Sequence, residues 1–125
     1  MSTPPLRLYS YPKCSTCRKA LQWLAERGLT PGAGLELVDI TAHPPSLAEL
    51  RQALASLGDR KRLFNTSGQS YRALGAAAVA ALSDAQALEA LAADGKLIKR
   101  PFALSTDGQA LVGFKPEQWS AALGL

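Results

Sequence analysis

The spacing of hydrophobic residues changes twice in the N-terminal part of the chain. Residues 4–12, PPLRLYSYP, alternate apolar and polar side chains, as a short strand does. From Ser15 the spacing becomes helical and runs to a stop at Gly28, with one apolar stripe formed by Cys17, Ala20, Leu21 and Leu24. Residues 35–40, LELVDI, favour a second strand. The pattern predicts strand, helix, strand, which begins an α/β unit.

Residues 46–95 carry helical patterns and no strand pattern. The Ser-x-x-Glu and Ser-x-x-Gln sequences that begin at Ser46 and Ser83 are spaced as capping boxes, and helically spaced leucines follow each. The second helix is predicted to end at Gly95. Between the two lies a polar loop, DRKRLFNTSGQSYRALGA, with a short helix from about Ser70.

The C-terminal part returns to strands. RPFALS and QALVGF flank TDG, and Asp-Gly between two apolar runs is a strong hairpin signal. KPEQWSAALGL then predicts a helix with Pro116 in its first turn. The order is β-α-β, helices, β-β-α, which predicts a thioredoxin-like α/β fold with a mixed four-stranded sheet. Residues 1–45 and 96–125 would form its core, residues 46–95 an all-helical insert, and the whole chain one domain.

The composition and charge of the chain exclude several classes of protein. The chain has 125 residues, of which 47% are hydrophobic and 19% charged, a balance that suits a buried core and argues against disorder. The net charge of +4 and a pI of about 9.3 favour anionic small molecules or acidic surfaces, but are too modest to indicate nucleic acid. MSTPPLRLYS lacks the apolar region of a signal peptide, and the longest apolar run, ALGAAAVAAL, is too short to cross a bilayer. We expect a cytoplasmic monomer that binds no membrane and no nucleic acid directly.

Both cysteines of the chain stand in YPKCSTCRKA, residues 11–20, separated by two residues. Three interpretations are open. A zinc site takes four ligands, so with a single histidine it would need His43 and a carboxylate as well. A buried structural thiol pair is the plain alternative, because free cysteines are often buried. Cys-x-x-Cys directly after a first strand in a βαβ pattern is, however, typical of redox proteins, and we favour that interpretation.

The position of Cys14 supports a reactive thiol. Cys14 falls at the predicted start of the first helix, where unpaired N–H groups and the helix dipole stabilise an anion. Lys13, Arg18 and Lys19 add positive charge, and Arg18 is a further candidate for binding the substrate, although Arg18 and Lys19 equally suit a solvated helix face. We predict that Cys14 is the nucleophile and that Cys17, one turn further on, is the resolving thiol.

Three basic residues are candidates for binding an anion beside this thiol. Arg100 precedes Pro101 at the third strand, and this X-Pro bond is a candidate for the cis form. Beside the helix start of a thioredoxin-like fold, the Arg100 guanidinium would offer an oxyanion two hydrogen bonds; the alternative is a trans proline with a solvated arginine. Residues 65–74, NTSGQSYRAL, offer an anion Ser and Thr hydroxyls, loop backbone N–H groups and Arg72, although this composition is also that of an ordinary turn. Lys115 would complete a basic ring, although an exposed lysine is the commoner outcome.

Four segments in this order and spacing resemble one family: LYSYPKCSTCRKALQWL, LFNTSGQSYRALG, LIKRPF and LVGFKPEQW. They are similar to the glutaredoxin-coupled arsenate reductase and Spx family of thioredoxin-like proteins, over nearly the whole chain. The resemblance implies a catalytic cysteine, here Cys14, and three basic residues around the arsenate oxygens. Arg72 and Arg100 are taken as two of them. The third is Lys115, where the well-studied arsenate reductases carry arginine.

The resemblance implies two functions. The first is a thiol-dependent reductase in which Cys14 attacks arsenate or a glutathionyl mixed disulfide. It needs no bound cofactor and takes electrons from glutathione, glutaredoxin or thioredoxin. The second is an Spx-like redox-sensing regulator that binds the RNA polymerase alpha subunit, since Cys-x-x-Cys is a feature of Spx and is usually missing from the arsenate reductases. FNTSGQSYR resembles the enzyme-like members, so we rank the reductase first. A binding module with an incidental cysteine pair is a third option.

Overall fold

A computed structural model describes residues 6–125, and its centre is a mixed sheet of five strands in the order β2-β3-β1-β4-β5. The strands are β1 (Leu6–Ser10), β2 (Thr30–Pro31), β3 (Gly34–Asp39), β4 (Phe102–Leu104) and β5 (Ala110–Val112). β1 pairs in parallel with β3 and antiparallel with β4. The thioredoxin-like α/β prediction is confirmed. Pro4 and Pro5, where the predicted first strand begins, lie outside the described residues.

The helices of the described chain cover both faces of this sheet. They are α1 (Ser15–Glu26), α2 (Leu47–Leu57), α3 (Gln69–Leu74), α4 (Ala76–Ala80), α5 (Asp84–Ala93) and α6 (Pro116–Leu123). Because side chains alternate along β1, Leu8 packs with Leu24 of α1 and Trp119 of α6, whereas Tyr9 packs with α2 and α5 on the opposite face. The helical insert thus has its own side of the sheet.

The sheet has one strand more than the predicted four. β2 has only two residues, Thr30–Pro31, and pairs in parallel with the beginning of β3. Two residues are too few to show an alternating pattern, and Pro31-Gly32 has the composition of a turn. The predicted four-stranded sheet is therefore corrected to five strands. The predicted mixture of parallel and antiparallel pairing among the longer strands is confirmed.

The insert is tied to the sheet by polar contacts and by one close backbone approach. The Tyr9 hydroxyl donates to the Glu49 carboxylate at 2.9 Å, and Arg7 donates to the same carboxylate at 2.9 Å. Both predicted capping boxes form, at Ser46 and at Ser83. At the end of the insert, a Cβ on Gly95 would lie 1.8 Å from the Ile40 carbonyl oxygen, so only glycine allows this approach.

Two short helices follow the polar loop of the insert. α3 begins at Gln69, one residue before the predicted start, and α4 follows it after Gly75, which has a φ of +89°. The sequence pattern does not predict α4, because a run of alanines carries no polar–apolar periodicity. The hairpin β4–β5 and the α6 helix, with Pro116 at its first turn, are confirmed.

Candidate active site

Cys14 is the N-cap residue of α1. The chain leaves β1 at Ser10 and turns, with the Cys14 N–H donating to the Tyr11 carbonyl at 3.0 Å. The Cys14 sulfur then accepts the backbone N–H of Cys17 at 3.3 Å, in the way an N-cap oxygen normally does. A sulfur in this position faces the unpaired N–H groups of the first helical turn, which favour its anionic form.

The surroundings of Cys14 favour the thiolate on balance. Partial burial alone would raise the pKa of the Cys14 thiol, but hydrogen bonds from the Cys17 side chain and backbone, and the positive charge of Arg100, outweigh it. The net result is a Cys14 pKa below that of an ordinary cysteine. Since the thiolate is the reactive form, Cys14 is the group here that can attack an electrophile.

Cys17 differs from Cys14 in that its thiol is fully buried and its pKa is raised. Its side chain is fully buried, with 0% exposure, and this burial is the main reason that its pKa rises to about 11. Its hydrogen bond with Cys14 raises the pKa further, while contacts with the Tyr11 backbone and the Ser10 side chain act against the shift. Cys17 therefore remains a protonated thiol at neutral pH and donates to Cys14. The two cysteines are free thiols in contact, with different chemical roles.

Cys14 opens onto a cavity of about 550 Å³. Four cationic side chains line it: Arg62, Lys99, Arg100 and Lys115. Among the described residues that form its wall, none is acidic. Loop residues 64–68, FNTSG, add hydroxyl, amide and backbone groups on the side of the insert. The cavity therefore suits an anion that carries several hydrogen-bond acceptors.

Backbone pairing brings the two sides of this cavity together. The Asn65 N–H donates to the Leu97 carbonyl at 2.7 Å, and the Lys99 N–H donates to the Leu63 carbonyl at 2.7 Å. This pair of bonds holds the insert loop against the segment that carries Lys99 and Arg100. The Arg100 guanidinium also lies over the Tyr11 ring, 4.7 Å from its centroid, which restrains its position. The Arg100–Pro101 peptide is cis, the form for which the sequence made it a candidate.

The structure brings some of the predicted site residues together and separates others. Cys14, Arg100 and Lys115 line the cavity, and Cys17 lies buried behind Cys14. Arg72 does not line the cavity, because it lies exposed in the last turn of α3. Arg18 is also outside it, exposed on α1 with its guanidinium donating to the Pro12 carbonyl at 2.9 Å.

The sequence does not single out Arg62, Lys99 or Tyr11 as site residues, whereas the predicted anion-binding loop does line the cavity, with residues 65–68. Arg62 belongs to DRKR, whose composition is that of a solvated turn, and it is indeed exposed although it lines the cavity. Lys99 precedes Arg100 directly, so the pair Lys-Arg before proline is the available signal. For Arg62 and Tyr11 no local signal exists, because their roles depend on contacts with the cavity of Cys14 and with Arg100.

Metal binding and membrane insertion are two other functions that a structure can indicate. Within residues 6–125, no group of three or more His, Cys, Asp or Glu side chains is placed to hold a metal ion. Over the same residues, none of the helices combines the length and apolar character needed to span a bilayer.

A family model for the ArsC family matches residues 9–122 of this chain. The protein YusI of Bacillus subtilis, itself uncharacterized, is 45% identical over 117 residues, which cover 91% of this chain and 94% of YusI. An arsenate reductase of Neisseria meningitidis serogroup A is 32% identical over 122 residues, covering 96% of this chain and 99% of its own.

Solved structures from the same family are also similar to this chain. An ArsC family related protein from Bacteroides fragilis superposes with a TM-score of 0.85 at 33% identity, covering 96% of this chain and 98% of its own. An arsenate reductase from Vibrio cholerae gives a TM-score of 0.77 at 28% identity, over 94% of this chain and 96% of its own.

Proposed function

Because this chain belongs to the ArsC family, we propose that it is a thiol-dependent reductase of the arsenate-reductase type, with Cys14 as its nucleophile. One observation carries the proposal: a thiol with a lowered pKa, at a helix N-cap, opens onto a cavity lined by four cationic side chains. Nucleophile and anion-binding groups are thus in the same cavity, as the attack of a thiolate on an oxyanion requires.

The proposed reaction begins at the arsenic atom of arsenate. The Cys14 thiolate forms a sulfur–arsenic bond with dihydrogen arsenate, and one arsenate hydroxyl takes the proton of the other and leaves as water. Arg100 faces this step most directly, because its charge already acts on the Cys14 sulfur. Its guanidinium can hold two oxygens at once, whereas Lys99 and Lys115 contribute single ammonium groups. The negative charge of the anion is offset while the Cys14 adduct forms.

Reduction occurs when a second thiol attacks the Cys14 sulfur of the adduct. A disulfide forms, the sulfur–arsenic bond breaks, and its electron pair stays on arsenic, which leaves as arsenite. Cys17 is the intramolecular candidate for this thiol. Its pKa of about 11 makes deprotonation the costly step at neutral pH. Formation of the adduct removes the negative charge of Cys14 that helps to hold the proton on Cys17, although burial still disfavours the thiolate.

An external thiol competes with Cys17 for the same step. Glutathione can attack the adduct directly, and glutaredoxin or thioredoxin then returns the enzyme to its reduced form. A glutathionyl mixed disulfide is a second substrate that the cavity supports, because about 550 Å³ and four cations exceed what a single tetrahedral oxyanion requires. Cys14 would attack the disulfide sulfur in that case, and the other sulfur would leave as a thiolate.

Turnover of arsenate by the purified protein tests the proposal. Arsenite formation is measured with glutathione and glutaredoxin, and separately with thioredoxin, for the wild type and Cys14→Ser. We expect turnover with at least one donor and none in Cys14→Ser. Arg18→Ala is a matched control, because Arg18 is basic and close in sequence to Cys14 but lies outside the cavity.

The second function implied by the sequence resemblance, an Spx-like regulator, is tested by a different measurement. It requires a stable complex with the C-terminal domain of the RNA polymerase alpha subunit, which a pull-down with reduced and oxidised protein measures. Robust binding together with no turnover of arsenate or glutathionyl substrates would overturn the reductase proposal in favour of the regulator.

A further inference from the structure

An apolar surface lies on the insert, and the proposed reaction does not use it. Residues 73–81, ALGAAAVAA, contain no polar side chain, yet Val79 is the only one of them that is buried. Leu74 is 47% exposed, one of the most exposed large hydrophobic side chains of the described chain. Single exposed leucines are ordinary, but a contiguous exposed apolar run indicates an interaction surface. We call residues 74–81 the alanine platform.

The alanine platform is held in a fixed position. The Arg60 guanidinium donates to the carbonyls of Ala80, at 3.0 Å, and of Leu82, and it forms an ion pair with Asp84 at 3.3 Å. These bonds cap the C-terminal end of α4, and Val79 anchors the helix in the core. A helix of five residues has little stability of its own. The fold therefore supports an exposed apolar surface that the short helix could not maintain alone.

A groove connects the platform to the active site. It measures about 400 Å³ and lies between Phe64, Tyr71 and Val79, with the edge of α4 along one side. Phe64 and Thr66 line both this groove and the cavity of Cys14. The groove therefore adjoins the cavity of Cys14, and a protein that covers the platform and the groove extends to the edge of that cavity.

Charge at the edge of the groove indicates what kind of molecule fits. Lys61 lines the groove, and Arg62 next to it lines the cavity of Cys14. Both side chains are exposed, and the chain as a whole carries a net charge of +4. An acidic partner is therefore attracted to this edge, whereas a second copy of the same chain is repelled. A small thiol such as glutathione has no need of an apolar platform beside the cavity.

We propose that the alanine platform and its groove dock a protein dithiol reductant, an acidic protein that presents an apolar side chain next to its reactive thiol. The inference rests on the proposed function, since it assigns the partner that restores Cys14 after turnover. It also distinguishes between the candidate electron donors, because the docking surface favours a protein over a small thiol.

The electron transfer that docking would serve is a thiol–disulfide exchange. A partner thiolate attacks the Cys14 sulfur of the Cys14–Cys17 disulfide, and Cys17 leaves as a thiolate and takes up a proton. The second partner thiol then attacks the partner's own sulfur in the mixed disulfide, so Cys14 leaves as a thiolate and the partner becomes a disulfide. Attack at Cys14 is required, because Cys17 is fully buried in the reduced protein.

A mixed disulfide of Cys14 with 5-thio-2-nitrobenzoate tests the docking without arsenate. The mixed disulfide is made in a Cys17→Ser background, and release of the yellow thiolate is followed with two reductants: an acidic thioredoxin and dithiothreitol. Leu74→Glu and Leu74→Lys are compared with Leu37→Glu, since Leu37 is similarly exposed, at 43%, but lies on β3 and outside the alanine platform.

We expect Leu74→Glu to slow release by thioredoxin at least about tenfold, because it places a like charge against the partner's acidic surface. Leu74→Lys should lose less, and Leu37→Glu should match the parent. All of these proteins should react with dithiothreitol at the same rate. Equal thioredoxin rates for Leu74→Glu and Leu37→Glu would overturn the proposal, as would an equal slowing by both reductants.

Two further outcomes are distinguishable. A stable dimer of the wild type that Leu74→Glu dissociates, measured by sedimentation, would assign the platform to a second copy and overturn the proposal. If the wild type turns over no arsenate and no glutathionyl substrate, the proposed function fails, while a thioredoxin rate that depends on Leu74 would still support the docking surface.

Discussion

The cavity of Cys14 has two walls of different origin. The core wall consists of Cys14 at the start of α1, the pair Lys99 and Arg100, and Lys115 before α6. The insert wall consists of Arg62 and residues 64–68. Cys14 and Arg100 already interact, since the arginine helps to lower the pKa of the thiol. The insert wall carries its charge on Arg62, whose side chain is exposed, so we infer that the core wall governs the chemical step and the insert wall governs substrate binding.

The first prediction concerns the close approach between the end of the insert and the sheet, and it has the largest expected effect. Gly95→Ala places a methyl group 1.8 Å from the Ile40 carbonyl oxygen, so the end of the insert must move away from the sheet. We expect a loss of about 3 kcal/mol or more in the free energy of unfolding, measured by urea denaturation.

The control for Gly95→Ala is Gly124→Ala. A Cβ at Gly124 meets no atom within 4 Å, and its φ of +69° is the only source of strain. That variant should cost about 1 kcal/mol. Equal losses in both variants would mean that the close approach of Gly95 to Ile40 adds nothing to the cost of the substitution.

The second prediction concerns the core wall. Arg100→Ala should lower kcat and kcat/KM for arsenate together by about 10²-fold, because Arg100 acts on the charge at Cys14 during the reaction. Arg100→Lys should recover only part of the loss, since the bidentate contact is missing. Circular dichroism must first match the wild type. Full arsenate turnover in Arg100→Ala, with Cys14→Ser inactive, would contradict the role given to Arg100 in holding the anion.

The third prediction compares Arg62, which the structure places in the insert wall, with Arg72, which the sequence suggested as an anion-binding residue. Arg62→Ala should raise KM about fivefold with little change in kcat, because an exposed charge at the cavity edge contributes to binding alone. Arg72→Ala should leave both constants unchanged. A larger loss in Arg72→Ala than in Arg62→Ala would restore the sequence-based assignment.

The fourth prediction has the smallest expected effect and concerns how Arg100 is positioned. Tyr11→Leu removes the aromatic face under the guanidinium, 4.7 Å from the ring centroid, and should lower kcat/KM about threefold to fivefold. Tyr11→Phe keeps the ring and should behave as the wild type. A loss in Tyr11→Phe as large as in Tyr11→Leu would show that the hydroxyl, and not the ring, is what matters.

The division of the cavity into a core wall and an insert wall also explains how much of the site the sequence could predict. α1 and the position of Cys14 follow from local signals: an apolar stripe at helical spacing, and a thiol at the helix start directly after a strand. Arg100 is recognisable from the proline that follows it. These core-wall features need only a few neighbouring residues to be identified.

The insert wall depends on contacts between distant parts of the chain. The bonds from Asn65 to Leu97 and from Lys99 to Leu63 join segments more than thirty residues apart, and the loop they hold lines the cavity with Arg62 but without Arg72. No local pattern reports such pairing. The alanine platform is hidden in the sequence for a different reason, because alanine fits a helix without marking which face is buried.

Site-specific alkylation of the wild-type protein tests the central claim, that Cys14 is the activated thiol, most directly. Iodoacetamide labelling of Cys14 and Cys17 is followed against pH by peptide mass spectrometry. A lowered pKa means that the Cys14 thiolate persists to lower pH, so its labelling rate should reach half of its plateau at a pH below the ordinary thiol pKa of about 8.5. Cys17, buried and with its pKa raised to about 11, should stay unlabelled over the same range. An unshifted profile for Cys14, or faster labelling of Cys17, would contradict the account.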